Sequence, residues 1–289
     1  MAKIPESELI LNPDGSVYHL HLRPEHIAPN IILVGDQERV PQVSQYFDHL
    51  DLKVQKREFV SHIGKLRDQS IMVISTGIGT DNIDIVLNEL DALVNIDLQR
   101  REVKEQKTAL NFIRIGTSGA LQPDIPVDSY LISAYGIGLD GLMHYYDFSN
   151  NANEHMVQYE FFQQLGHQIA FPVRPYLAEG DPQLIERIGV NMLKGITVTC
   201  TGFYGPQGRS LRGPIAEPQL LSSLQNFRYR DLQITNFEME TAGIYGLARL
   251  LGHRAISCNA ILANRHDKSF SETPKETVDR LIRMVLSRI

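Results

Sequence analysis

Only two cysteines, Cys200 and Cys258, occur in 289 residues. Both sit in apolar, strand-like runs, Ile196-Thr-Val-Thr-Cys200 and Ala255-Ile-Ser-Cys258. Two thiols so far apart read as buried groups of a reducing compartment rather than as a disulfide framework. No apolar run approaches the roughly 20 residues that a bilayer-spanning helix needs. The start, Met1-Ala-Lys-Ile-Pro-Glu-Ser-Glu8, lacks the apolar stretch of a secretory signal. Basic charge is short as well: 28 Lys and Arg against 34 Asp and Glu leave a net charge of −6. Counterion release needs a basic face, so this balance argues against a general nucleic-acid binder. A small anion, which feels only the local field, stays open. With 43% apolar residues the chain is globular rather than disordered. The expectation is a soluble, cytoplasmic protein.

Several chemical motifs are missing too. Gly77-Ile-Gly79 lacks the third glycine of a dinucleotide fingerprint, and no phosphate-loop lysine motif occurs. Without HExxH or paired CxxC, a catalytic metal has no support in the sequence. Serine–histidine nucleophilic catalysis lacks its G-x-S-x-G elbow. There is no internal repeat, no low-complexity tract and no linker rich in Pro, Ser or Gly.

Short β-branched runs that end in glycine or a turn recur along the chain. They are Ile31–Val34, Ile71–Ile74, Phe112–Ile115, Ser129–Ser133, Ile196–Thr199 and Ala255–Ala263. Continuous apolar runs of this length suit strands buried on both faces. Helical patterns lie between several of them. Ile83, Val86, Leu87 and Leu90 share one helical face, and Glu238–Leu251 reads as a helix closed by Gly252. Thr273-Pro-Lys-Glu276 reads as a capping box opening a last helix with Val278, Leu281, Ile282, Val285 and Ile289 on one face. This alternation predicts a single α/β domain over residues 1–289 with a mostly parallel or mixed sheet. The mixed-charge stretch Gln99–Lys107 reads as a solvated helix face or connector. His19-Leu-His21 could set two rings on one strand face, although a pair of ordinary polar histidines is the preferred reading.

Ligands of α/β sheets bind beyond the carboxyl ends of the strands. Here Gly35 is followed by Arg39, and Arg114 precedes Gly116-Thr117. Backbone N–H groups freed by glycine, together with guanidinium forks, are what a phosphate needs. A glycine after a strand is commonly only a turn, and a nearby arginine only a surface charge. Arg114 is different, because it interrupts an apolar strand and requires an anionic partner if buried. Glu238-Met-Glu240 either complements a helix dipole or places a carboxylate to grip sugar hydroxyls. Gln207-Gly-Arg209, after Phe203-Tyr-Gly-Pro206, offers an amide and a guanidinium beside aromatics, a set that can stack and read a heterocycle; a solvated turn is the alternative.

Seven segments in order resemble the nucleoside phosphorylase-I family, and most closely its uridine phosphorylase branch. They are Val34-Gly-Asp-Gln-Glu-Arg-Val40, Arg57-Glu-Phe59, Ser75-Thr-Gly-Ile-Gly79, Ile113-Arg-Ile-Gly-Thr-Ser-Gly-Ala120, Phe203-Tyr-Gly-Pro-Gln-Gly-Arg209, Phe237-Glu-Met-Glu240 and Ala263-Asn-Arg265. The likeness runs from about Tyr18 to the last helix and leaves residues 1–16 as a peripheral N-terminal segment. It implies a three-layer αβα fold with a central mixed, partly barrel-like sheet flanked by helices. By the same resemblance Gly35, Arg39, Arg114 and Thr117 form a phosphate cradle, reached by Arg57 of a neighbouring subunit. His19 crosses the same interface to the ribose 5′-hydroxyl, Met239 and Glu240 hold the ribose, and Gly119, Phe203, Gln207, Arg209 and Arg265 surround the base.

The activity so implied is reversible phosphorolysis of uridine to uracil and ribose 1-phosphate, a pentosyltransferase reaction of pyrimidine salvage. Arg114, Gln207, Arg209 and Glu240 are the expected catalytic set. Phosphate is a co-substrate and no metal or organic cofactor is expected. Purine enzymes of the family place an aspartate after the strand following the Glu-Met-Glu segment; here the stretch is Ala260-Ile-Leu-Ala-Asn264, which with Gln207 and Arg209 favours a pyrimidine. Thr80-Asp-Asn82 replaces the usual Gly-Pro-Ser, which speaks against the monovalent-cation site of some relatives although Glu58 is kept. Phe237 stands where a tyrosine is common, and residues 96–111 are longer than in compact bacterial members. The implied assembly is a dimer-based hexamer with its sites at the dimer interface. Alternatives are a broad-specificity or purine nucleoside phosphorylase, a nucleosidase using water, and a non-catalytic nucleoside-binding protein of the same fold.

Overall fold

The computed structural model describes residues 3–289. In chain order its strands are β1 (Asn30–Val34), β2 (His49–Lys56), β3 (Phe59–Leu66), β4 (Gln69–Ser75), β5 (Ile96–Asp97), β6 (Glu102–Val103), β7 (Asn111–Ala120), β8 (Tyr130–Gly138), β9 (Tyr176–Glu179), β10 (Leu193–Thr199), β11 (Arg228–Tyr229), β12 (Leu232–Glu238) and β13 (Arg254–Asn264). The helices are α1 (Arg39–Ser44), α2 (Thr80–Asn95), α3 (Ala152–Leu165), α4 (Pro182–Ile188), α5 (Leu220–Asn226), α6 (Thr241–Leu250) and α7 (Pro274–Leu286).

One 11-stranded sheet runs β11-β12-β10-β8-β13-β7-β1-β4-β3-β2, with β9 on β8. β1 pairs in parallel with β4 and β7, and β13 pairs in parallel with β7. A further antiparallel pairing of β12 with β7, Asn236 to Ala120 and Phe237 to Gly119, closes β7, β13, β8, β10 and β12 into a five-stranded ring. The sheet is therefore mixed, open on one side and barrel-like on the other.

Period-two alternation sorts the apolar strands between two layers. Ile31 and Leu33 of β1 and Met72 and Ile74 of β4 pack with α2 and α6, while Ile32, Val34, Ile71 and Val73 pack with α1 and α7. Helices α3 and α5 cover the ring through Val157, Phe161, Leu165 and Leu224. The strand runs expected from sequence all fall on strands, Ser129 alone lying just before β8, and several of the strands are longer than the apolar core of the run.

Two local expectations are corrected and two open alternatives are decided. Glu238 is the last residue of β12, and α6 begins only at Thr241, so the Glu238–Gly252 stretch is strand, turn and helix. Thr273 makes no side-chain cap, because its hydroxyl is not on the helix N–H groups, and α7 opens on Pro274 alone. His19 and His21 lie in a turn rather than a strand; His21 has φ +56° and contacts Asp14. Gln99–Lys107 is no helix: β5 and β6 form a short hairpin whose turn is held by Asp97, a connector as the alternative had it. Arg101 of that hairpin ties down the N-terminal segment, accepting Ile4 N–H at its carbonyl and donating its guanidinium to Leu9 O.

Candidate active site

The carboxyl ends of β1, β4, β7, β10, β12 and β13 meet around a cleft of about 1290 Å³. Every residue expected at the site lines it except His19 and Arg57.

Arg114 is the centre of one end. It shares a face of β7 with Phe112 and is buried, so its charge must be answered locally. Its Nη2 lies 2.5 Å from Glu240 Oε2 and 3.3 Å from Glu238 Oε2, and Nη1 donates to Asn259 Oδ1 at 2.9 Å. Burial alone would lower the guanidinium pKa, but the two carboxylates outweigh it and hold it above the ordinary arginine value. Gly116, two residues on, is dictated by this arrangement: a Cβ there would sit 1.8 Å from Arg114 Nη1. Arg39, at the start of α1, sends Nη1 toward Ile115 O at 3.4 Å. Its pKa is lowered, chiefly by burial and then by the like charge of Arg114. Two guanidiniums that repel each other in one cleft make a place for an anion. Gly35 and Thr117 line the same wall.

Glu240 precedes α6 and is not used to cap it. That task falls to Glu238, whose Oε2 accepts the N–H groups of Glu240 (2.9 Å) and Thr241 (2.8 Å), and to Thr199, whose Oγ1 accepts Ala242 N–H at 2.9 Å. Thr199 in turn donates to Glu238 Oε1 at 2.6 Å. Burial, reinforced by the neighbouring Glu240 and opposed by Arg114, raises the Glu238 pKa. Glu240 is thereby left for the cleft, where Oε1 accepts Gly79 N–H at 2.9 Å. Gly79 has φ +97°, a conformation that favours glycine and turns its N–H onto the carboxylate.

The other end is polar and aromatic. Gln207 is buried on a 3₁₀ turn, Gly205–Gln207, and its Oε1 accepts Arg209 Nη1–H at 2.6 Å. Arg209 also donates to Phe203 O and stacks 3.9 Å above the Phe203 ring. Burial, then the charge of Arg265, lowers the Arg209 pKa to about 10. Arg265 donates to Gln207 O at 3.2 Å and lies against Gly119. The amide NH₂ of Gln207 and the other guanidinium N–H groups remain as donors for carbonyl oxygens.

His19 and Arg57 are brought together, but outside the cleft. Arg57, at φ +54° between β2 and β3, lies 5.6 Å over the Tyr18 ring, which meets His19 edge-on at 4.8 Å. Glu89 accepts both the His19 N–H (3.0 Å) and Nδ1–H (2.6 Å), and the Leu20 N–H as well.

Sequence reasoning missed Asn259 and the capping pair Thr199–Glu238. Asn259 had a signal, being a lone carboxamide inside the apolar run Ala255–Ala263. Thr199 had none, since its role depends on the register between β10 and β12.

A family model described as the phosphorylase superfamily matches residues 29–288, and the chain belongs to that superfamily. By class it is a nucleoside phosphorylase-type pentosyltransferase. Among similar proteins, the uridine phosphorylase of Thermococcus kodakarensis is 31% identical over 274 residues, 94% of this chain and 84% of the relative. That of Haemophilus influenzae is 27% identical over 279 residues, 94% and 97% of the two chains. The solved structure of a Trypanosoma brucei nucleoside phosphorylase, described as showing uridine phosphorylase activity, superposes with a TM-score of 0.89 at 26% identity, covering 97% of this chain and 98% of the other. Among the described residues no helix is long and apolar enough to cross a membrane.

Proposed function

We propose that the protein is a uridine phosphorylase, converting uridine and phosphate reversibly to uracil and ribose 1-phosphate. One observation carries the reading: a single cleft holds the Arg39–Arg114 anion end, Glu240 beside it, and the Gln207–Arg209 pair with Phe203 at the other end. Phosphate is held by Arg39, Arg114, Thr117 and the Gly35 backbone, with its attacking oxygen toward the anomeric carbon. Met239 and Glu240 position the ribose. As the C1′–N1 bond breaks, its electron pair leaves with the base while a phosphate oxygen bonds to C1′. Positive charge on the sugar is met by the phosphate, and negative charge on uracil by donors from Gln207 and Arg209. Neither charge needs a metal or organic cofactor, and none is invoked at Glu58. Arg57 and His19, clustered outside their own cleft, complete the site of a second copy, so the active unit is at least a dimer. The two buried free thiols support a cytoplasmic location.

Related uridine phosphorylases of known name support the pyrimidine reading, as does the engagement of Gln207 with Arg209. Protein mixed with uridine and phosphate is expected to show the ultraviolet change of uracil release, dependent on phosphate, and inosine is expected to be cleaved far more slowly. Uridine loss without phosphate would point to a nucleosidase, and binding without turnover to a non-catalytic relative.

A further inference from the structure

The loop that carries Arg265 starts at Asn264, the last residue of β13, and this side chain is 1% exposed. Its carboxamide is fully committed. Nδ2 donates to Gln122 O at 2.9 Å and to Ile125 O at 2.8 Å, while Oδ1 accepts His266 N–H at 2.8 Å and Asp267 N–H at 3.4 Å. The orientation is unambiguous, because two carbonyls face one end and two N–H groups the other. The amide thus joins the turn after β7 to the first residues of the loop. Between these anchors Arg265 N–H donates to Ala120 O at 2.8 Å, and its guanidinium reaches Gln207 O. Farther round, Asn264 N–H donates to Ser269 O and Ser271 N–H to Leu262 O, closing the loop on itself.

We infer that Asn264 is a positioning residue for base recognition: its four hydrogen bonds hold Arg265 against the Gln207 turn, and no proton of its amide is free for a bound base. The inference rests on the uridine phosphorylase reading and deepens it. It gives residue 264 a part distinct from that of an acid at this place. A carboxylate in the same space keeps the contacts to the two N–H groups but sets an unprotonated oxygen against Gln122 O and Ile125 O. Burial beside two carbonyls favours its protonated form, which restores one of the two lost bonds. The titratable or charged groups on the segments packed around it are Arg265, His266, Asp267 and Lys268 on the loop and Asp124 on the turn. These groups are common to wild type and variant, and Asn264→Ala, which adds no charge, is the control for them.

The test is steady-state kinetics of Asn264→Asp against wild type between about pH 5.5 and about pH 8.5, a span that brackets a raised carboxyl pKa. At the alkaline end KM for uridine is expected to rise about tenfold, the scale of losing the single Arg265 contact to the Gln207 turn, with KM for phosphate unchanged. The defect should shrink as pH falls and the introduced carboxyl takes up its proton. In an Arg265→Ala background the same substitution should add little, since the two act on one contact. Asn264→Ala, which carries no titrating group, should raise KM for uridine at every pH; it serves as well if the aspartate variant does not fold. Unchanged uridine KM at alkaline pH in both variants, or equal losses for uridine and phosphate, would overturn the inference. So would a gain in inosine cleavage by Asn264→Asp. Wild-type protein with no phosphate-dependent uridine cleavage is a separate result, which removes the functional reading and the inference with it.

Discussion

Arg114 occupies the space in which a side chain at residue 116 would grow. Any Cβ there must displace the guanidinium, so Gly116→Ala is expected to lower kcat/KM roughly 100-fold, the effect of a misplacement near 1 Å. Circular dichroism should show the fold kept, because the nearest atoms a Cβ would meet all belong to the Arg114 side chain and Gly116 has no positive φ. Near wild-type turnover at limiting phosphate would mean that Arg114 does not act on phosphate. The arginine itself was legible in the sequence because a charge inside an apolar strand requires a partner. Its partners were only half legible. Glu240 stood out as an acidic residue near a helix start, whereas Asn259 lies 145 residues away from Arg114 and meets it only through the β7–β13 register. Thr199 looked like any β-branched strand residue. Its hydroxyl does two jobs, on Glu238 and on Ala242 N–H, that no local pattern encodes.

Among the elements, central strands were read well because both faces are buried and the apolar run is unbroken. The edge hairpin β2–β3 escaped, since β2 alternates half-buried and exposed positions without a long apolar run. The Glu238-Met-Glu240 segment was read as helix because acidic residues favour a helix start. The carboxylate does serve that start, but from the end of the preceding strand. α1 shows how a short helix can carry a functional arginine. Only six residues long, it starts with Arg39 and ends at Ser44, whose Oγ lies 2.7 Å from His62 Nδ1 on β3. Burial, with Lys53 adding to it, lowers the His62 pKa from 6.5. A depressed histidine pKa stabilises the fold above the unfolded value and loses that contribution as pH falls. The unfolding free energy from urea titrations should therefore decline below about pH 6.5 with a slope of at most about 1.4 kcal/mol per pH unit from this group. His62→Gln should flatten that limb, and an identical decline in the variant would assign it to other groups.

At the scale of the molecule, strand–helix alternation announced an α/β sheet, yet closure of the ring followed from resemblance and not from pattern. The β7–β12 pairing joins segments more than a hundred residues apart, and no periodicity reports it. The assembly is equally silent in composition, but the Tyr18–His19–Arg57 cluster supplies a test. If Arg57 serves a neighbour, Arg57→Ala and Arg114→Ala proteins, each impaired, should recover about a quarter of wild-type activity when unfolded together and refolded as mixed dimers. Half of such dimers are mixed, and each carries one intact site. No recovery on mixing would show that each chain builds its site alone.

β13 follows the other twelve strands in chain order, yet it lies between β8 and β7 in the middle of the sheet. It brings Asn259 to Arg114 and begins the loop of Arg265. On the ribosome, then, the four other strands of the ring must wait for one made after all of them before it can close. A nascent or truncated chain that stops short of it has the residues for phosphate but no geometry to hold them, so catalytic competence arrives only once β13 has been made.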